Sequence, residues 1–266
     1  MNYTILIHTH SSYSYLWPII NDYIKKYKFK KILAYDSIPE NTTLPDCFDK
    51  YIQYDGSQMF STRLVPILEQ IPEEYVFLIY DVDIVINIDE LSLNTYIELM
   101  KENNIDRVCS AVFNGNGQIL KNNVGLCNLN LPLKSRSNHY VPADCSSTIW
   151  NRDSFLIFLK LFPNRSYGSL ELDNDAINYY KTKVKCYGIQ YTPNLQILYN
   201  RGLTHCDKLS FLHITTKGKF LVPFRCYYSY ENILKDIIKK YNLNIHTIGT
   251  INVENTSCTN FSKIII

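Results

Sequence analysis

The sequence predicts an α/β protein built on a mixed, mostly parallel central sheet. Through the first 113 residues, short apolar runs alternate with segments whose apolar residues recur at helical spacing. Strands alternating with helices imply parallel strands covered on both faces. The greasiest of these runs, "EYVFLIY", leads straight into two carboxylates, Asp81 and Asp83. Ligands of such sheets bind beyond the C-terminal ends of the strands, so the pair stands where a site is expected.

The elements follow in order. "YTILIH" (Tyr3–His8) is a buried strand. A helix follows, with Trp17, Ile20, Ile24 and Tyr27 on one face and Pro18 in its first turn. "KKILAYD" is a second strand ending at Asp36; a turn-rich loop leads to a third, "DKYIQY". "SQMFSTRLVPILEQI" reads as a helix kinked at Pro66. "EYVFLIY" is the fourth strand, "SLNTYIELMKENN" a helix that Ser92 is placed to cap, and "DRVCSAVF" a fifth strand.

The second half is less regular, and the 114–142 stretch resists assignment. "CSSTIW" reads as a strand and "NRDSFLIFLKLF" as a helix starting near Asp153. "SLELDNDAINYYKTK" opens with three carboxylates and continues as one helix. "KCYGIQY", "LQILY" and "LSFLHITTKGKF" are strand-like, the last running into a glycine turn. "ENILKDIIKKY" is amphipathic, with Ile233, Leu234, Ile237, Ile238 and Tyr241 on one face. The tail "FSKIII" is expected to pack or to extend an edge strand. With no repeat and no linker, residues 1–266 read as a single domain. Its halves, 1–113 and 114–266, read as functionally distinct.

Composition narrows the class. A chain of 266 residues, 46% hydrophobic and 20% charged, has length enough for a large core. A formal net charge of +2 gives no field to recruit nucleic acid or an anionic membrane. None of the 8 cysteines forms a C-x-x-C pair, and several sit in apolar runs, so they read as buried reduced thiols. The N-terminus lacks the basic and long apolar regions of a signal peptide, and no apolar run approaches a membrane span. A cytoplasmic location is the expectation.

Two carboxylates at D-x-D spacing on an extended strand end point to the same side. Burying them unpaired is costly, and hard oxygen ligands suit Mg²⁺ or Mn²⁺. Diphosphate oxygens can fill the open positions of such an ion. His8 and His10, two residues apart after the first strand, read as loop polar contacts. Trp150 is a candidate for stacking on a sugar ring.

"EEYVFLIYDVDIVI" resembles the metal-binding strand of GT-A fold, Rossmann-like, nucleotide-sugar-dependent glycosyltransferases, and three further segments match that pattern in order. "ILIHTHSSYSYLWPII" is similar to the opening nucleoside-binding strand and loop. His8 replaces the family's proline there, Thr9 matches, and Ser11 and Ser12 occupy polar positions. Asp36 falls where the family often places an acidic residue against the base. "LELDNDAINYY" is similar to the acceptor-side acidic motif, which puts Asp173 at the general base, with Glu171 and Asp175 as alternatives. "LHITTKGKF" resembles the segment that supplies a metal-ligating His and a diphosphate-binding Lys, here His213 and Lys217 or Lys219. Arg63 is a further candidate for the nucleotide. The resemblance implies Mn²⁺ or Mg²⁺ on Asp81, Asp83 and His213. It also implies a nucleotide-diphosphate sugar donor, UDP-sugars favoured, and a glycan or other hydroxyl acceptor, with inversion through the Asp base. The alternatives are a haloacid-dehalogenase-type phosphatase, with Asp81 as nucleophile and Asp83 as acid/base, and a non-catalytic nucleotide-sugar- or carbohydrate-binding relative.

Overall fold

A computed structural model describes residues 2–113, 117–130, 147–200, 203–215, 218–222 and 229–252. The tail "FSKIII", Lys217, His139 and most of the 114–142 stretch lie outside them. The first half runs β1 (Tyr3–His8), α1 (Trp17–Ile24), β2 (Lys31–Tyr35), β3 (Lys50–Gln53), α2 (Phe60–Glu69), β4 (Tyr75–Tyr80), β5 (Asp83–Ile88), α3 (Glu90–Asn103) and β6 (Arg107–Phe113). Then come β7 (Gln118–Lys121), β8 (Val124–Asn128), β9 (Thr148–Asn151), α4 (Arg152–Leu161), α5 (Tyr167–Leu172), α6 (Asn174–Lys183) and β10 (Cys186–Gln190). The rest is β11 (Ile197–Asn200), β12 (Leu203–Cys206), β13 (Leu209–His213), β14 (Phe220–Val222), α7 (Glu231–Lys240), α8 (Ile245–Ile248) and β15 (Thr250–Asn252).

Nine strands form the central sheet in the order β3-β2-β1-β4-β9-β6-β10-β8-β7. The pairing directions leave only β9 and β8 running against the other strands, so the sheet is mixed and mostly parallel, as expected. The antiparallel β9 separates β4 from β6, an insertion that sequence alternation alone does not reveal. From β1 the chain steps outward to β2 and β3, then returns to β4 on β1's other side. This reversal falls between β1 and β4, and the C-terminal ends of strands at such a switch point are where open α/β sheets bind ligands.

The two-residue period of β4 sorts its side chains between two cores. Phe77 and Ile79 join Ile5 and Ile7 against Trp17, Leu93, Met100 and Leu234. Val76 and Leu78 join Leu6 and Ile32 against Leu64, Phe155, Phe158 and Tyr180. Each such side chain contributes about 1.5–3 kcal/mol by leaving water, which fixes the strand against slipping by a residue. The α7 face is as read from the sequence: Leu234 and Ile237 are buried, and Ile233, Ile238 and Tyr241 pack at the core's edge.

α4 starts near Asp153 as read, at Arg152, with Asn151 as its cap. Three local readings are corrected. Asp89 rather than Ser92 caps α3; its carboxylate accepts from the Ser92 N–H at 3.1 Å and hydroxyl at 2.5 Å. The acidic segment is two helices, because Asp173 leaves the helical region (φ −73°, ψ 117°) and caps α6. Trp150 is 1% exposed, stacked on Phe155 and edge-on to Tyr180, with the Arg107 guanidinium 5.5 Å from its ring centre, so it is not offered to a sugar.

Asp22 on α1 ties down α7, accepting from Lys240 at 2.8 Å, Tyr241 at 2.5 Å and Lys25 at 2.7 Å. Hydrogen bonds from Lys240 first, then Lys25 and Tyr241, hold its carboxyl below the usual carboxylate range. A depressed carboxyl stabilises the fold above its unfolded pKa, near 3.9, and loses that contribution as pH falls through the folded value. Asp22→Asn is therefore expected to cost under about 1 kcal/mol near neutrality, given the exposure of these partners. Urea unfolding should show that gap closing as pH falls below about 4.

Candidate functional site

The site starts where β1 ends. Thr9 and His10 leave the strand, and residues 11–16 form a short 3-10 turn that runs into α1. The buried Thr9 hydroxyl accepts the indole N–H of Trp17 at 2.8 Å and donates to Asp81 Oδ2 at 2.8 Å. The His10 backbone N–H donates to the same oxygen at 2.9 Å. Asp81 is thus fastened across the switch point to the neighbouring parallel strand.

Asp81 and Asp83 do not share one strand end, as their spacing suggested. The chain turns at Asp81 and Val82, and Asp83 opens β5, which pairs antiparallel with β13. The pairing sets His213 opposite Asp83. His213 Nδ1 lies 2.5 Å from Asp83 Oδ1, and the Ser147 hydroxyl donates to Oδ2 at 3.1 Å. Both aspartates are buried, 5% and 8% exposed. Burial pushes the Asp81 carboxyl up to about 7, and the Asp83 charge adds to this against the hydrogen bonds from His10 and Thr9. Two buried carboxylates this close favour a positive charge between them.

A second polar cluster adjoins. Asp36, just past β2, accepts the Ser11 N–H at 2.6 Å and hydroxyl at 2.8 Å, and His10 Nε2 lies 3.3 Å from it. Burial raises the Asp36 carboxyl, but the hydrogen bonds from Ser11 and Ser37 outweigh it and leave a net lowering. Gly56 approaches so closely that a Cβ there would lie 2.9 Å from Asp36 Cβ. Beneath, the Tyr54 hydroxyl donates to the Thr9 carbonyl at 2.6 Å, with the Arg63 guanidinium 5.2 Å from its ring centre. His8 stacks on the same ring, buried and neutral, its pKa pushed down to about 3 by burial and then by Arg63.

The structure therefore gathers Thr9, Ser11, Asp36, Arg63, Asp81, Asp83 and His213 around the C-terminal ends of β1, β2 and β4. Lys219 is exposed, and Gly249 lies beside its stem. The acidic segment reaches the same sheet end through Tyr167, whose ring packs on Tyr80 and Phe60. Asp173 Oδ1 accepts from the N–H groups of Asp175 and Ala176, and Oδ2 from Arg165 Nε at 3.1 Å. The Ala176 and Arg165 bonds lead in holding its carboxyl below the usual range. Glu171 lies in α5 and the exposed Asp175 in the first turn of α6.

Among the described residues, no three His, Cys, Asp or Glu side chains form a metal-ligand cluster, and no helix is long and apolar enough to cross a membrane. Sequence reasoning missed Trp17 and Ser147 as polar partners. A buried indole N–H needs an acceptor, so Trp17 carried a signal; Ser147 carried none.

No family model and no curated protein matches the chain. Among solved structures, bifunctional IspDF from Campylobacter jejuni is 12% identical with a TM-score of 0.42, over 74% of this chain and 57% of that one. S. aureus TarS is 11% identical with a TM-score of 0.46, over 93% and 41%. A cytidylyltransferase from Leptospira borgpetersenii serovar Hardjo-bovis (strain JB197) is 12% identical with a TM-score of 0.46, over 97% and 98%. The chain thus spans about half the length of the first two. Likenesses of this degree carry no functional weight.

Thr9→Val removes a hydroxyl with two buried partners and leaves the Trp17 N–H unmet. A loss of about 1–3 kcal/mol in urea unfolding is expected, with Thr9→Ser restoring most of it.

Proposed function

We propose that the protein is a metal-dependent glycosyltransferase that moves a sugar from a nucleotide-diphosphate sugar, UDP-sugars first, to a glycan or other hydroxyl acceptor. The observation that carries this reading is the Asp81–Asp83 pair, buried and adjacent at the switch point, with Asp81 fastened to the loop after β1. The donor set fits a hard divalent cation, Mn²⁺ or Mg²⁺: two buried carboxylates, one of them raised to about 7 by burial and by the charge of the other. Asp81 and Asp83 are the proposed ligands; His213, a third ligand by resemblance, lies against Asp83 and here orients it. When bound, the cation neutralises charge on the leaving diphosphate.

The chain's own residues do the rest. Asp36 holds Ser11 and so shapes the loop that meets the nucleoside. Arg63, close above Tyr54, supplies a fixed positive charge to the nucleotide, and Lys217 or Lys219 is the cation for the diphosphate. The 171–175 segment provides the proton acceptor of an inverting transfer. Asp173 is the expected base by resemblance, but here both its oxygens are engaged and its carboxyl is lowered. A base works best with a pKa near the working pH, so Glu171 and Asp175 stand beside it.

A screen of UDP-, GDP- and TDP-sugars with Mn²⁺, Mg²⁺ or EDTA tests the reading, by melting temperature and by hydrolysis of the donor. A true donor raises the melting temperature by mass action. Stabilisation and hydrolysis are expected only with metal, and Asp83→Asn should abolish both. No response to any nucleotide sugar, with an aryl phosphate turned over instead, establishes the phosphatase alternative; binding without hydrolysis establishes the non-catalytic one.

A further inference from the structure

The turn after β1 sends its side chains two ways. His10 and Ser11 face Asp36, while Tyr13 and Tyr15 turn toward the chain after β13. That chain is itself tied to the carboxylate pair. The Ile214 N–H donates to the Val82 carbonyl at 2.8 Å, and His213 lies against Asp83. Tyr15 reaches the Thr215 side chain with its hydroxyl buried. The Tyr13 ring lies 6.2 Å from that of Tyr15. Its hydroxyl faces Gly218, 3.7 Å from where a Cβ on that glycine would stand. Gly218 has a φ of 71°, which glycine adopts without strain, and Lys219 follows it. The two segments therefore meet beside Asp81, whose charge acts on both tyrosines.

Tyr13 differs from the hydroxyls around it. Those of Thr9, Ser11 and Tyr54 each donate to a protein oxygen, and that of Tyr15 is shut away from the surface. The half-buried Tyr13 makes no hydrogen bond through its hydroxyl among the described residues, and that oxygen is not enclosed. Burial first, then the Asp81 charge, raises the phenol's pKa, so it stays a donor. Asp81 nevertheless bonds to Thr9 and His10 and not to Tyr13.

A donor set beside a carboxylate but not bonded to it suits a group that joins the two. A divalent cation carrying a phosphate oxygen is such a group: the cation binds the carboxylate, and the oxygen accepts from the phenol. Hydrogen bonds to an ionised oxygen are the strong ones, and a neutral donor can supply one without competing with the cation. We infer that Tyr13 is a diphosphate-binding residue, its hydroxyl donating to an oxygen of the donor's diphosphate at the carboxylate pair. The inference rests on the donor reading proposed above and adds a hydroxyl to the groups that hold the leaving diphosphate.

The test uses the full chain with saturating Mn²⁺, titrated by calorimetry with UDP, GDP and TDP and with inorganic pyrophosphate. Tyr13→Phe removes the hydroxyl and keeps the ring, so stacking on a base would survive it. The variant should weaken pyrophosphate, and the nucleoside diphosphate that binds the wild type, by the same factor of roughly tenfold, the effect of one lost hydrogen bond to a charged group. Mn²⁺ affinity without phosphate should not change. Nor should the melting temperature of the free protein, because the hydroxyl has no protein partner to lose. A Tyr13→Phe variant that binds both ligands as the wild type does overturns the inference and leaves the donor reading standing. So does a loss confined to the nucleoside diphosphate with pyrophosphate spared, which would put Tyr13 against the nucleoside. A wild-type protein that binds none of the three nucleoside diphosphates in Mn²⁺ overturns the donor reading, and this inference with it.

Discussion

One hydroxyl organises the site. Thr9 takes the Trp17 N–H on one side and gives its proton to Asp81 on the other. Through it the end of β1, the start of α1 and the end of β4 become one unit. The arrangement depends on the parallel pairing of β1 with β4, which sets His8 beside Tyr80 and brings the loops after both strands together. Buried polar groups must be met or they cost stability, so this knot fixes geometry as well as position.

The second consequence is electrostatic. The alternating apolar faces of β4 drive the strand into two cores, and the carboxylates at its end enter with it. Among the described residues, Asp81 takes its hydrogen bonds from the Thr9 hydroxyl and the His10 N–H, both neutral, and burial leaves its charge poorly solvated. Asp81 answers by holding its proton up to about pH 7. In the proposed reading a cation is the other answer, with Ser11 and Asp36 beside it on the nucleotide side.

The sheet's first four strands, α1, α2 and the face of α7 were legible because their apolar periods are strong and their burial is real. The order of the sheet was less so. β9 inserts antiparallel between β4 and β6 from far along the chain, a long-range pairing that no local pattern encodes. The Asp pair was legible from its strand and spacing, but the turn at Val82 was not, because "IVI" continues the same apolar character. Asp173 shows the limit most plainly. An aspartate at a helix start reads equally as a base or as a cap, and only the contacts with Asp175, Ala176 and Arg165 show the cap. Trp150 failed for the opposite reason: a large aromatic reads as available until its neighbours Phe155, Phe158 and Tyr180 are seen to enclose it.

The most direct measurement is the linkage between metal and nucleotide at the carboxylate pair. Mn²⁺ is titrated, by electron paramagnetic resonance, into the wild-type protein and into Asp81→Asn, with and without UDP, GDP or TDP. If Asp81 and Asp83 hold the ion against a diphosphate, one nucleotide tightens Mn²⁺, and Mn²⁺ tightens that nucleotide by the same factor. Asp81→Asn should remove the coupling. Nucleotide binding that is equally tight without metal and in Asp81→Asn, or Mn²⁺ binding indifferent to every nucleotide, would contradict a metal–diphosphate site there.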